Sequence, residues 1–254
     1  MKLPHRAFLV LLCLITVACS PTAKPGSEDP LVVATTTILG DMASAVVGDQ
    51  ATVETLMPPG ADPHDFQPSS QQVALINGAE LVIANGLGLE EGFIDVLDAA
   101  QADGVNVLEL GPLIDPIPFA DGGPDELGDD PHFWNDPIRA AMGAEVIADA
   151  LSDVDPSVDW ASRATDYGNE LRDLASEIEV MLQEIPDADR KLVTNHDSLG
   201  YFADRYGFEI VGVVIPGGST LAEPSSAELA NLVQVMREQD VRVIFAETLS
   251  LIHI

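Results

Sequence analysis

The chain has 254 residues, 46% of them hydrophobic and 21% charged, a globular composition long enough for two lobes with separate cores. Asp and Glu number 42 against 11 Lys and Arg, giving a formal net charge of −31. Phosphate recognition needs clustered Lys and Arg, so no nucleic acid is expected as a partner. Acidity on this scale goes first with solubility or a salty habitat. It also concentrates cations near the surface.

The N-terminus reads as a processing signal. Lys2 and Arg6 form a short basic region, and Ala7 to Ala18 is uncharged, mostly apolar and too short to span a bilayer as a mature helix. The run ends in Thr16-Val17-Ala18-Cys19, which resembles a bacterial lipobox with Thr16 where Leu is usual. Residues 1–18 are expected to be a signal peptide, with Cys19 lipidated as the new N-terminus and holding the exported protein on the outer face of the cytoplasmic membrane or in the periplasm. Ordinary secretory cleavage with an incidental cysteine is the alternative. The other cysteine, Cys13, lies in the apolar run, so the mature chain is expected to carry no disulfide and no cysteine metal site. Residues 19–30, rich in Pro, Ser and Gly, suit a flexible tether.

From Leu31 short apolar runs alternate with helical stretches. Strands are expected at Leu31–Thr35, Thr52–Met57, Leu81–Ala84 and Val105–Leu108, and helices at Asp41–Val47, from a Ser69 cap through Asn77, and at Glu91–Ala100. This βα repeat implies a parallel sheet covered on both faces. Gly111 to Pro131, rich in Pro, Gly and acidic residues, reads as a loop. Helices are expected at Pro137–Leu151 and from Trp160 to about Glu184. The second carries Tyr167, Leu171, Leu174, Ile178 and Leu182 at helical spacing. A second βα unit follows, with strands at Lys191–Thr194, Glu209–Ile215 and Val241–Ala246 and helices at Ser198–Tyr206 and Ser226–Gln239, the latter capped by Ser225. The expected fold class is therefore α/β, with two lobes, each a parallel sheet flanked by helices, joined by a long rigid helix. The first lobe spans residues 31–136, a helical segment 137–186, and the second lobe 187–254. No helix covers the last strand, so the second lobe reads as incomplete, as in a truncated chain.

Of the five His, His5 lies in the signal and His253 at the C-terminal end. His64 lies in Pro58-Pro59-Gly60-Ala61-Asp62-Pro63-His64-Asp65-Phe66, a loop at the carboxyl end of a strand, where ligands bind in parallel sheets. His132 lies in Asp130-Pro131-His132-Phe133-Trp134-Asn135-Asp136-Pro137, and His196 in Thr194-Asn195-His196-Asp197-Ser198, again at a strand's carboxyl end. Singly, each reads more simply as a surface or capping residue. All three at such loops point to a metal site, since neutral imidazole suits zinc and other first-row metals. Asp65 and Asp197 directly follow two of them. They would either orient the rings or, the simpler role, cap the next helix.

These motifs, together with Asn195-His196-Asp197-Ser198-Leu199-Gly200-Tyr201-Phe202 and Val243-Ile244-Phe245-Ala246-Glu247, resemble the cluster A-I solute-binding proteins of zinc and manganese ABC importers, from about Leu31 to Glu247. The resemblance implies two βα lobes joined by a long helix. It implies Zn2+ or Mn2+ held between them as transported ligand by His64, His132 and His196, an ABC permease as partner, and no enzymatic activity. The family's fourth ligand is usually a carboxylate beyond the point where this chain ends. Glu247 matches a recurrent family Glu and stands as a group that supports a ligand or substitutes for one. The acidic segment from Phe119 to Asp130 lacks the His-rich stretch frequent in zinc-specific members. A zinc-dependent hydrolase with an open three-His site and a surface adhesin are the competing readings.

Overall fold

The computed structural model describes residues 29–119 and 128–246. The first unit is a four-stranded parallel sheet of order β2-β1-β3-β4, from β1 (Leu31–Ala34), β2 (Thr52–Thr55), β3 (Leu81–Ala84) and β4 (Val107–Glu109). Each strand is followed by a crossover: α1 (Thr37–Val47), α2 (Ser70–Gly78), α3 (Ile94–Ala102), and then, after a long loop, α4 (Pro137–Val154).

The run Leu31-Val32-Val33-Ala34 is apolar throughout because both faces of β1 are covered, as in buried parallel sheets. Val32 and Ala34, with Leu81 and Ile83 of β3, pack into one core with α1, α4 and Trp160. Val33, Val82 and Ala84 face the other way, against Ile76, Phe93 and Leu97. Each such side chain fully removed from water contributes roughly 1.5–3 kcal/mol.

Helix α1 begins four residues before the expected start, because Thr36 caps it by accepting from the Leu39 N–H at 3.2 Å. Gly40 in its first turn is required by packing: a Cβ there would lie 2.1 Å from Thr55 Oγ1. The Ser69 and Ser225 caps form as expected, each in a reciprocal capping box, with Gln72 and Glu228 respectively.

The 23-residue α5 (Trp160–Leu182), about 34 Å long at 1.5 Å per residue, packs on α4 and leads into the second unit. Its buried stripe is smaller than the expected leucine row. Trp160, Ala164, Gly168 and Ala175 are buried, Tyr167 and Leu171 flank the core, and Leu174 is 43% exposed. Gly168 on α5 faces Ala141 of α4, where an added Cβ would lie 3.7 Å from the Ala141 Cβ, so the two helices approach closely.

In the second unit β5 (Lys191–Thr194) pairs in parallel with β6 (Glu209–Val213), with a register shift between Leu192 and Val193. Helix α6 (Gly200–Tyr206) connects them, and α7 (Ser226–Glu238) follows β6. The strand expected at Val241–Ala246 is reduced to a single parallel bridge, Thr194 to Phe245. Two backbone bonds hold it: Phe245 N–H to Val193 O at 2.8 Å and Asn195 N–H to Phe245 O at 2.9 Å. Val243, Ile244 and Phe245 remain about half exposed there, so burial does not extend the ladder.

Candidate metal centre

His64, His132 and His196 come together from three separate loops, all at carboxyl ends of parallel strands, and all three are buried. Ring centroids lie 5.6 Å apart for His64 and His132, 5.8 Å for His64 and His196, and 5.1 Å for His132 and His196. One nitrogen from each ring can be chosen so that all three lie within 4.8 Å of one another. His132 Nε2 and His196 Nε2 are 3.3 Å apart. Two nitrogens each bound about 2.0–2.1 Å from one tetrahedral ion sit about 3.3 Å apart, so this pair already has the spacing of two ligands on a shared cation. His64 is 2% exposed, and neither of its ring nitrogens has a hydrogen-bond partner among the described residues. A buried unpaired nitrogen costs free energy, and a cation would satisfy it.

The loops around the rings are built by a repeated device. In Asp62-Pro63-His64 and in Asp130-Pro131-His132 the intervening proline has no N–H, and the aspartate Oδ1 reaches over it to accept from the histidine backbone N–H, at 3.0 and 2.8 Å. Asp130, fully buried, also takes the Nδ1 of His132 at 2.7 Å. With Asp130 ionised, that bond selects the tautomer with its proton on Nδ1, leaving the Nε2 lone pair toward the cluster.

The Asp130 loop is tied to the first sheet. Asn85, just after β3, donates to Pro131 O at 3.0 Å, and the buried Glu90 carboxylate accepts from Thr35 Oγ1 and from the Asn85 and Gly86 N–H groups. Tyr201 of α6 fixes the same loop from the second unit, donating to Asp130 O at 2.7 Å. Asn135 Nδ2 donates to Ser198 O at 2.9 Å beside His196. On the His64 side, Glu91 Oε1 lies 3.7 Å from His64 Nδ1. The 3-10 turn Glu91–Phe93 sits so close to the His64 loop that a Cβ on Gly92 would lie 2.3 Å from Phe66 O, so only glycine fits.

Burial sets the protonation. Desolvation, reinforced by the neighbouring His132, pulls His64 down to about 4, against the opposing charges of Asp62 and Glu91. Desolvation takes His132 and His196 down to about 3, with His132 and His64 adding to the effect at His196 and Asp62 opposing it at both. Burial also pushes the Asp130 carboxyl up to about 7, against the His132 backbone N–H that holds it down. All three imidazoles are therefore neutral with lone pairs free, the form a cation requires. In the folded metal-free protein the His64 and His196 rings should keep constant NMR shifts between about pH 7 and 5, while the His132 ring follows its Asp130 partner without gaining a proton itself, and an imidazole taking up a proton near its ordinary value of about 6.5 would contradict the buried geometry.

The two aspartates singled out beside the histidines differ in their surroundings. Asp65 is exposed, and α2 is capped by Ser69. Asp197 is fully buried next to His196, just before α6. Glu247 and Cys19 lie outside the described residues. The residues that sequence reading passed over are Asp62, Asp130 and Glu91. The Asp-Pro-His repeat was the available signal for the first two, and nothing local marks Glu91.

Among relatives, the chain is 28% identical over 245 residues to the manganese-binding lipoprotein MntA of Halalkalibacterium halodurans, covering 94% of this chain and 79% of that protein. It is 30% identical over 219 residues to the iron-binding protein YfeA of Yersinia pestis, covering 85% of this chain and 69% of that protein. Its fold superposes on the periplasmic zinc-binding protein TroA of Treponema pallidum with a TM-score of 0.78 and 27% identity, over 87% of this chain and 78% of that one. Residues 32–250 match the family model of ZnuA, zinc-uptake complex component A periplasmic, and the chain belongs to that family.

Proposed function

We propose that the chain captures a divalent transition metal, zinc or manganese, outside the cytoplasm at His64, His132 and His196, and delivers it to the permease of an ABC importer. The family is one of solute-binding proteins, not enzymes. The observation that carries the reading is the buried trio of neutral imidazoles, with one nitrogen pair at the spacing of two ligands on one ion and an unpartnered ring opposite. Cargo binding lies between a first lobe of residues 31–136 and a second of 187–254, joined through the helical segment 137–186. Three nitrogens suit both zinc and manganese, and affinity in vitro follows the general order that favours zinc.

Among the described residues no helix is long and apolar enough to cross a membrane. Attachment is assigned to acyl chains on Cys19, from the lipobox-like Thr16-Val17-Ala18-Cys19, followed by the tether of residues 19–30. Elemental analysis of membrane and soluble fractions tests both parts. The parent should be recovered with membranes carrying one zinc or manganese per chain. Cys19→Ala should be recovered soluble and equally loaded. A parent free of metal would sink the capture role, and a membrane-bound Cys19→Ala would sink the anchor.

A further inference from the structure

The loop leaving β6 carries Ser219 and Thr220, and these two successive hydroxyls reach across to the first unit. Thr220 Oγ1 donates to Asp62 Oδ2 at 2.6 Å, and Ser219 Oγ donates to Glu91 Oε1 at 2.6 Å. The Leu221 N–H donates back to Ser219 Oγ at 3.2 Å and aims that hydroxyl. The acceptors are not arbitrary. Asp62 holds the His64 backbone N–H through its other oxygen, and Glu91 Oε1 is the carboxylate oxygen 3.7 Å from His64 Nδ1. The second unit thus grips the group that holds the His64 backbone, Asp62, and the carboxylate that faces the His64 ring, Glu91.

We infer that Ser219 and Thr220 form a clasp that sets the rate at which a bound ion leaves, by coupling separation of the two units to loosening of His64. The inference rests on His64 being a metal ligand. Separating the units at this edge breaks two hydroxyl-to-carboxylate bonds, which are stronger than neutral ones. It also frees Asp62 to swing away from the His64 loop. Both hydroxyls act through Asp62 and Glu91 and are positioning residues. Their loss should speed release while leaving the imidazole set and its charge unchanged.

The test follows release of Zn2+ from the loaded full chain to excess chelator by stopped flow. Thr220→Val keeps the shape and removes the hydroxyl, and release should be about tenfold faster, the value of one charged hydrogen bond that is partly exposed to water. Ser219→Ala should give a smaller acceleration, because the Glu91 bond is exposed, and the double variant should exceed either. Thr220→Ser should restore the parent rate. The unfolding midpoint of the metal-free forms should stay close to that of the parent, which separates a clasp from a general loss of stability. Release from the double variant at the parent rate, or failure of Thr220→Ser to restore it, would overturn the clasp while metal capture stands. A parent that binds no ion would overturn both.

Discussion

Alanine in place of His132 should lower metal affinity by more than about 100-fold, beyond the 10- to 100-fold loss typical when a supporting partner of a metal ligand is removed. His132 holds the centre of the trio. Its ring is 1% exposed, lies nearest His196 and touches His64 as well. It is also the ring whose tautomer is fixed, through the 2.7 Å bond from Nδ1 to Asp130. Truncation removes that lone pair and leaves the buried Asp130 carboxylate facing a cavity. Asp130→Asn keeps the size and the backbone contact but no longer forces the proton onto Nδ1, so it should fall within the 10- to 100-fold range. Titration with Zn2+ and Mn2+, with thermal unfolding of the metal-free forms alongside, distinguishes a lost ligand from a lost fold. If folded His132→Ala binds as tightly as the parent, the ion does not sit at this trio.

The three histidines were legible because His64 and His196 stand where an apolar strand gives way to Pro, Asp or Asn, and His132 stands between an acidic loop and a helix. The structure brings their rings into one buried cluster. The surrounding groups were less legible for a physical reason. Ser219 meets Glu91 and Thr220 meets Asp62 across 128 and 158 residues of sequence, and no local pattern encodes such contacts. The Asp-Pro-His pairs are local, and the absence of an N–H on proline is enough to derive their turn. For the fold, the continuous apolar runs of β1 and β3 and the two serine capping boxes could be read directly. The start of α1 could not, because Gly40 weakens a helical pattern and is explained only by the neighbouring Thr55. The spacing of Tyr167, Leu171 and Leu174 marked α5 as a helix, but not the face through which it packs, since Ala164, Gly168 and Ala175 are small side chains that carry little periodic signal.

Asp136→Ala should be the most destabilising single change near the site, by about 3–5 kcal/mol, the cost of breaking a buried ion pair by removing one partner. Asp136 is wholly buried and serves three groups. Its Oδ1 caps α4 by accepting from the Ile138 N–H at 2.9 Å, its Oδ2 accepts from Arg139 Nη1 at 2.8 Å, and Arg205 Nε of α6 closes on the same carboxylate. It therefore joins the start of α4 to the second unit, four positions beyond His132. With alanine there, the carboxylates left to Arg139 are Asp115 at 3.7 Å and Asp204 at 3.8 Å, both largely exposed and therefore weak partners, beside its Nε bond to Asp115 O at 3.1 Å and the Tyr201 ring face. The α4 cap is lost at the same time, worth about 0.5–2 kcal/mol by itself. Asp136→Asn retains an oxygen for the Ile138 N–H but not the charge, so it should cost less than alanine. At roughly 2–4 °C per kcal/mol for a chain of this size, the alanine form should unfold on the order of 10 °C below the parent, with asparagine between them. The reverse pair, Arg205→Met, leaves Asp136 with Arg139 and the backbone and should cost less than Asp136→Ala. An Asp136→Ala midpoint equal to the parent's would mean that the arginines find water or other carboxylates without loss. The junction of α4 with α6 would then be held by apolar packing and the Tyr201 contacts alone.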